Sequence, residues 1–137
     1  MIYLTVTEDE DGAGMKQIRV DEILCMQFDN RLNIAVHTEK NHYVAVGPLR
    51  FWESAFKKAG LNFMRLDRGV LANVDKIKAV DKDFKLAYFD TNIDKYTKSC
   101  TMSSSGYKSF REINPTIPVV NNSGSKLFKG LPWQTSP

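Results

Sequence analysis

Apolar and polar side chains alternate every two residues over several short stretches of the chain. Residues 1–7 show this pattern first, and it returns at 32–37 after a polar turn at 29–31. The period is typical of a β-strand with one covered face. Further strands are predicted at 17–20, 23–28, 43–46, 62–66, 76–80, 84–89 and 96–102. Because short polar turns join most neighbouring strands, the pattern indicates meanders and not strand–helix–strand units.

Two segments follow the period of an amphipathic helix instead. Residues 48–59 repeat apolar side chains at spacings of three and four, and Gly60 is well placed as a left-handed stop. Ser103 is a good N-cap for a short final helix over 104–113. The predicted fold class is therefore mainly β, with small antiparallel sheets of about ten short strands, one central helix and a short C-terminal helix.

Composition divides the chain in two. The whole chain has 137 residues, enough for one domain with its own core. Residues 114–137 contain four prolines and a polar run at 121–125, which argues against regular structure, yet they also carry Leu127, Phe128, Leu131 and Trp133. The sequence predicts one domain over 1–113, followed by a Pro/Asn/Ser-rich C-terminal tail over 114–137. This tail is expected to dock on its own domain or on a protein partner.

The net charge of +3 is unevenly distributed. Residues 1–30 contain seven carboxylates against two basic side chains, a net charge of −5, so the remaining residues sum to +8. A basic body of this kind is compatible with a polyanionic partner, and equally with a surface that binds nothing.

The sequence also bears on the compartment. No stretch has the length of a membrane span, and the N-terminus lacks the basic flank and apolar core of a signal peptide. Cys25 and Cys100 both lie in apolar runs, as buried thiols do. We expect a cytoplasmic protein with reduced cysteines and no membrane partner.

Signatures of catalysis and metal binding do not occur in the sequence. It contains no Gly-rich phosphate loop, nucleophile elbow or zinc-ligand spacing. His37 and His42 are interpreted as polar turn residues at a hairpin and not as a metal pair. The aspartate pairs at 81/83 and 90/94 stand in turns, where aspartate bonds its own backbone. We therefore expect no enzyme, no metal and no cofactor.

One segment carries most of the functional information. Residues 63–73 read FMRLDRGVLAN and are followed by Ile77. The segment resembles the signature of the LytTR family of bacterial DNA-binding transcription regulators, which reads approximately F-x-R-x-H-R-S-x-x-V-N-x-x-x-I. The order of the surrounding elements agrees over residues 1–113. The resemblance implies a fold of small antiparallel sheets whose loops, and not a recognition helix, enter successive major grooves.

Three DNA-reading loops follow from the resemblance. The implied DNA-binding residues are Asn30 and Arg31 in the first loop, Asp67, Arg68 and Gly69 in the second, and Ser103, Ser104, Ser105 and Lys108 in the third. An asparagine amide can pair with adenine and an arginine guanidinium with guanine. Basic side chains, including Arg111, and the amides at a helix start can meet phosphates. Arg65 is interpreted as a structural ion-pair partner, and Asn73 as a residue that bonds backbone at a strand break.

The chain departs from the family pattern at three places. The family's histidine is Asp67, its serine is Gly69, and its last loop carries serines where arginine is usual. Family members commonly follow a receiver domain, and we expect a single-domain member without one.

Two functional hypotheses stay open. In the first, the chain is a transcription regulator that binds direct repeats in double-stranded DNA as a pair of protomers. In the second, the LytTR-like scaffold has lost its DNA surface and serves as a protein-interaction module, with the tail binding a protein.

Overall fold

A computed structural model describes residues 1–30 and 33–120, with Asn30 described in its backbone alone. These residues form eleven strands and two α-helices, in three small sheets. Two compact units are present, unit 1 over residues 1–76 and unit 2 from residue 77 onward. The mainly β class with two helices is as predicted. The division into a domain at 1–113 and a tail stays a prediction.

Unit 1 contains an antiparallel pair, β1–β2, and a five-stranded antiparallel sheet in the order β5-β4-β3-β7-β6. One α-helix, α1, packs on the five-stranded sheet. The elements are β1 (Tyr3–Val6), β2 (Lys16–Arg19), β3 (Ile23–Asn30), β4 (Asn33–Thr38), β5 (His42–Val46), α1 (Leu49–Lys58), β6 (Phe63–Asp67) and β7 (Val70–Asn73).

The core of unit 1 follows from strand register. Met26 pairs with Val36 on one side and with Leu71 on the other, so these three side chains share one face of the sheet. All three are fully buried. Leu49 and Phe56 of α1 join the same cluster, which is the face that the helical period predicted.

Unit 2 contains a four-stranded sheet in the order β10-β9-β8-β11 and the second helix. Its elements are β8 (Ala79–Asp81), β9 (Leu86–Tyr88), β10 (Ser99–Thr101), α2 (Ser104–Ile113) and β11 (Val119–Val120). The last strand pairs in parallel with β8, while the other pairs are antiparallel. Phe110 of α2 is completely buried.

Both helices and the state of both cysteines agree with the sequence predictions. The second helix has the predicted bounds, and the first ends before Gly60, whose φ of 79° is left-handed. Cys25 and Cys100 are buried thiols that are not joined by a disulfide bond. No helix among the described residues is long and apolar enough to cross a membrane.

Several strand predictions were wrong in extent. Strand β7 was not predicted, because all four of its residues are buried and no alternation marks it. Residues 29 and 30, predicted as a turn, belong to β3 because their backbone continues its pairing with β4. His37 and His42 face each other in paired strands and are not turn residues.

Within the described part of the predicted tail, residues 114–118 are irregular as expected, and only the short strand β11 at 119–120 departs from that expectation. Val119 pairs with Val80 of β8, so the chain returns to the sheet of unit 2. The guanidinium group of Arg111 stabilises the segment that leads into β11. It donates hydrogen bonds to the carbonyl oxygens of Ile117 at 2.6 Å and Pro115 at 2.9 Å.

Candidate nucleic-acid interface

At one end of the five-stranded sheet in unit 1, three strands end and two strands begin. Asn30 at the end of β3 pairs with Asn33 at the start of β4, which in turn pairs with Val46 at the end of β5. On the other side, Asp67 at the end of β6 pairs with Val70 at the start of β7. We call these five residues, with the Arg68–Gly69 turn, the loop edge.

The loop edge brings two of the predicted DNA loops together. The N–H group of Phe28 on β3 donates a hydrogen bond of 2.9 Å to the carbonyl oxygen of Gly69. This contact places the turn at Asp67, Arg68 and Gly69 beside the end of β3, two residues before Asn30. Arg31, the other predicted residue of the first loop, lies outside the described residues.

The backbone of the Arg68–Gly69 turn is held from two directions. Asp67 accepts a hydrogen bond of 2.7 Å from the N–H group of Arg68 through its Oδ1 atom. Arg65 donates to the carbonyl oxygen of Arg68 from Nε at 3.1 Å and from Nη2 at 2.6 Å. Its Nη1 forms an ion pair of 2.8 Å with Glu53 on α1. The predicted structural role of Arg65 is therefore confirmed, and the turn is tied to the helix.

The Arg68 side chain, unlike the fixed backbone of its turn, faces solvent. It is exposed at the tip of the turn, and none of the residues described in the structure forms a hydrogen bond with its guanidinium group. An exposed guanidinium on a fixed turn has all five of its N–H donors available for another molecule.

The backbone conformation at position 69 does not require a glycine. Its φ lies outside the left-handed region, and a Cβ atom built on it would lie 3.8 Å from Cβ of Phe28, an ordinary van der Waals distance. The serine that the family pattern has at this position would therefore fit.

An acidic loop also reaches the loop edge. Glu10 Oε1 accepts a hydrogen bond of 2.7 Å from the side-chain amide of Asn33, across 23 positions of sequence. The loop is ordered by its own bonds, since Asp9 Oδ1 accepts from the N–H groups of Asp11 and Ala13. Sequence reasoning found the acidic segment but not its place, because alternation carries no information on which strand a loop will contact.

The third predicted loop lies in unit 2 at the start of α2. Ser103 caps the helix, with its Oγ atom accepting a hydrogen bond of 2.9 Å from the N–H group of Gly106. Ser104, Ser105 and Lys108 are exposed on the first turns of the helix. The positive end of the helix dipole, the hydroxyl groups and the ammonium group form a surface that suits an anion.

Arg111 differs from its predicted role as a phosphate contact. Its guanidinium is committed to the carbonyl oxygens of residues 114, 115 and 117. Asn73 behaves as predicted, because its amide donates a hydrogen bond of 2.9 Å to the carbonyl oxygen of Ile23. In the part of the chain that the structure describes, no three His, Cys, Asp or Glu side chains are grouped as metal ligands would be.

One electrostatic pair lies outside these loops. The carboxylate of Asp21 accepts a hydrogen bond of 2.7 Å from Nη2 of Arg19, and this bond lowers the pKa of Asp21. Both side chains are solvent-exposed, so the pair contributes little to stability.

Comparison with known proteins identifies the family and the fold. No curated protein sequence matches the chain. The fold is similar to a solved structure described as the LytTr DNA-binding domain of a methyl-accepting/DNA response regulator from Bacillus cereus. The two are 19% identical, the match covers 82% of this chain and 95% of that one, and the TM-score is 0.65. The model of the LytTr DNA-binding domain family matches residues 13–114. The chain therefore belongs to the LytTr DNA-binding domain family.

Proposed function

We propose that this chain is a sequence-specific transcription regulator of the bacterial cytoplasm that reads the major grooves of double-stranded DNA through loops. The observation that carries the proposal is the exposed Arg68 guanidinium on a turn whose backbone is fixed by Arg65 and Asp67. A guanidinium group can bind the O6 and N7 atoms of guanine in a bidentate manner. A fixed backbone lowers the entropy that this side chain loses on binding.

The rest of the loop edge extends the proposed reading surface. Asn30 stands beside the Arg68 turn at the end of β3, and an asparagine amide pairs with adenine. Arg31 follows directly and is assigned to phosphate. Asp67 contributes to this surface indirectly. One oxygen atom of its carboxylate orients the turn, so the carboxylate is not directed solely at the DNA.

In unit 2, the start of α2 is assigned to the DNA backbone. Ser103, Ser104 and Ser105 offer hydroxyl and amide donors at the positive end of the helix, and Lys108 adds a charge. Residues 77–137 contain nine basic and five acidic side chains, which is the sign of charge that a polyanion needs.

Direct repeats are the expected target. A few base-reading side chains specify only a few base pairs, and a genome offers very many competing sites. Two protomers bound to repeated half-sites multiply the specificity of one, and a homodimer on DNA follows. The segment after residue 120 is proposed to bind a protein partner.

Selection of binding sites from random duplexes, with the full chain, tests the proposal. We expect one enriched, repeated motif and an affinity that falls steeply with salt. Arg68→Ala should lose about 1–3 kcal/mol of discrimination at one guanine. Lys58→Ala is the charge-matched control, since Lys58 is exposed in the last turn of α1, and it should keep the motif.

Two results would overturn the proposal. One is the absence of any enriched motif, and the other is an affinity that Arg68→Ala leaves unchanged. Either result would favour the protein-interaction module, for which Asp67 and Gly69 at the turn are the supporting departures from the family pattern.

A further inference from the structure

Phe28 lies between the two predicted reading loops of unit 1. It pairs with Ile34 of β4, and its N–H group is bonded to the carbonyl oxygen of Gly69. Backbone contacts on both sides therefore fix its position. The start of the β3–β4 turn follows two residues later.

The exposure of this side chain is unusual for the face on which it lies. Strand register puts Phe28 on the same face as Met26, Ile34 and Leu71, and these three are completely buried. Phe28 is the last member of that apolar row, and 45% of its surface is exposed. The row of apolar side chains thus continues past the end of the core to the loop edge.

We propose that Phe28 is a specificity-determining residue that contacts the C5-methyl group of a thymine close to the base read by Arg68. The inference rests on the proposed function. Thymine alone among the four bases presents a methyl group in the major groove, and apolar side chains, including phenylalanine, recognise it. An aromatic ring on a paired strand loses little conformational entropy when it makes this contact.

Replacement of thymine by uracil tests this contact, because the two bases differ only in the methyl group. After a binding site has been selected, each thymine of the site is replaced singly by uracil, and affinity is measured by fluorescence anisotropy. The wild-type chain should lose about fourfold in affinity at one position, the equivalent of one buried methyl group. Phe28→Ser should bind the thymine site more weakly and should show no further loss with uracil.

Phe51→Ser is the matched control. Phe51 is an exposed phenylalanine on α1, with 56% of its surface accessible, and this variant should keep the sensitivity to uracil. Phe28→Leu retains an apolar side chain and should keep part of that sensitivity. Circular dichroism and thermal melting report whether each variant is folded.

The possible failures are distinct. A selected site at which no uracil lowers affinity, or at which Phe28→Ser remains sensitive to uracil, overturns the assignment of Phe28 and leaves the proposed function standing. Phe28 would then cover the end of the hydrophobic core or contact a protein partner. If no site can be selected at all, the proposed function fails and the assignment of Phe28 fails with it.

Discussion

The guanidinium group of Arg65 donates two hydrogen bonds, of 2.6 and 3.1 Å, to the carbonyl oxygen of Arg68. The same group pairs with Glu53 on α1. Two arginines three positions apart therefore have separate tasks. Arg65 fixes the backbone of the turn, whereas Arg68 extends from the turn with its donors available to another molecule.

Arg65→Lys tests this division of tasks. Lysine keeps the charge but lacks the planar arrangement of donors that reaches both the carbonyl oxygen and Glu53. We expect the selected site to be bound more weakly by about 1–2 kcal/mol. The slope of affinity against salt should stay unchanged, because the Arg65 guanidinium is bonded to Arg68 and Glu53 within the protein. Fluorescence anisotropy over a salt series measures both quantities. Equal affinity of Arg65→Lys and the wild type would contradict the positioning role.

Gly69→Ser restores the hydroxyl group of the family pattern. The added Cβ atom would meet Phe28 at 3.8 Å, so the variant should fold normally. A new donor at the loop edge should raise DNA affinity by about 0.5–1.5 kcal/mol. Gly69→Ala separates the hydroxyl group from the loss of backbone freedom. If the alanine and serine variants bind DNA equally, the hydroxyl group makes no contact.

Glu10→Gln removes one negative charge beside the β3–β4 hairpin. The Gln side-chain oxygen can still accept the hydrogen bond from Asn33, so the loop should keep its position. We expect tighter binding to DNA at low salt and a smaller gain as salt screens the charge. Glu39→Gln is the control, because Glu39 is exposed in the turn at the opposite end of β4. Equal gains in the two variants would show that only net charge matters.

Ser103→Ala removes the N-cap of α2. Loss of the hydrogen bond to Gly106 should lower the free energy of unfolding by about 1 kcal/mol, measured by urea denaturation. Ser103→Asp keeps an N-cap acceptor and should retain stability. It should nevertheless weaken DNA binding, because its carboxylate repels phosphate. A Ser103→Asp variant that binds DNA as tightly as the wild type would remove this loop from the interface.

Local signals determined much of the outcome from sequence alone. The ends of both helices depend on residues within one turn, such as the Ser103 cap and the left-handed Gly60, so they could be predicted closely. The segment at 63–77 is contiguous as well, and it sufficed to indicate the family. Alternation predicted the strands at 1–7 and 32–37, because each of them has one covered face.

Tertiary structure decided what lies beside the Arg68 turn. Strand β7 carries no alternation because both of its faces are buried, yet it joins β3 to β6 and so forms the loop edge. Phe28 meets Gly69, and Glu10 meets Asn33, through contacts between residues far apart in sequence. Such contacts follow from the order and register of strands in the sheet. The period of a single strand records which of its faces is covered, but not which strand will be its neighbour.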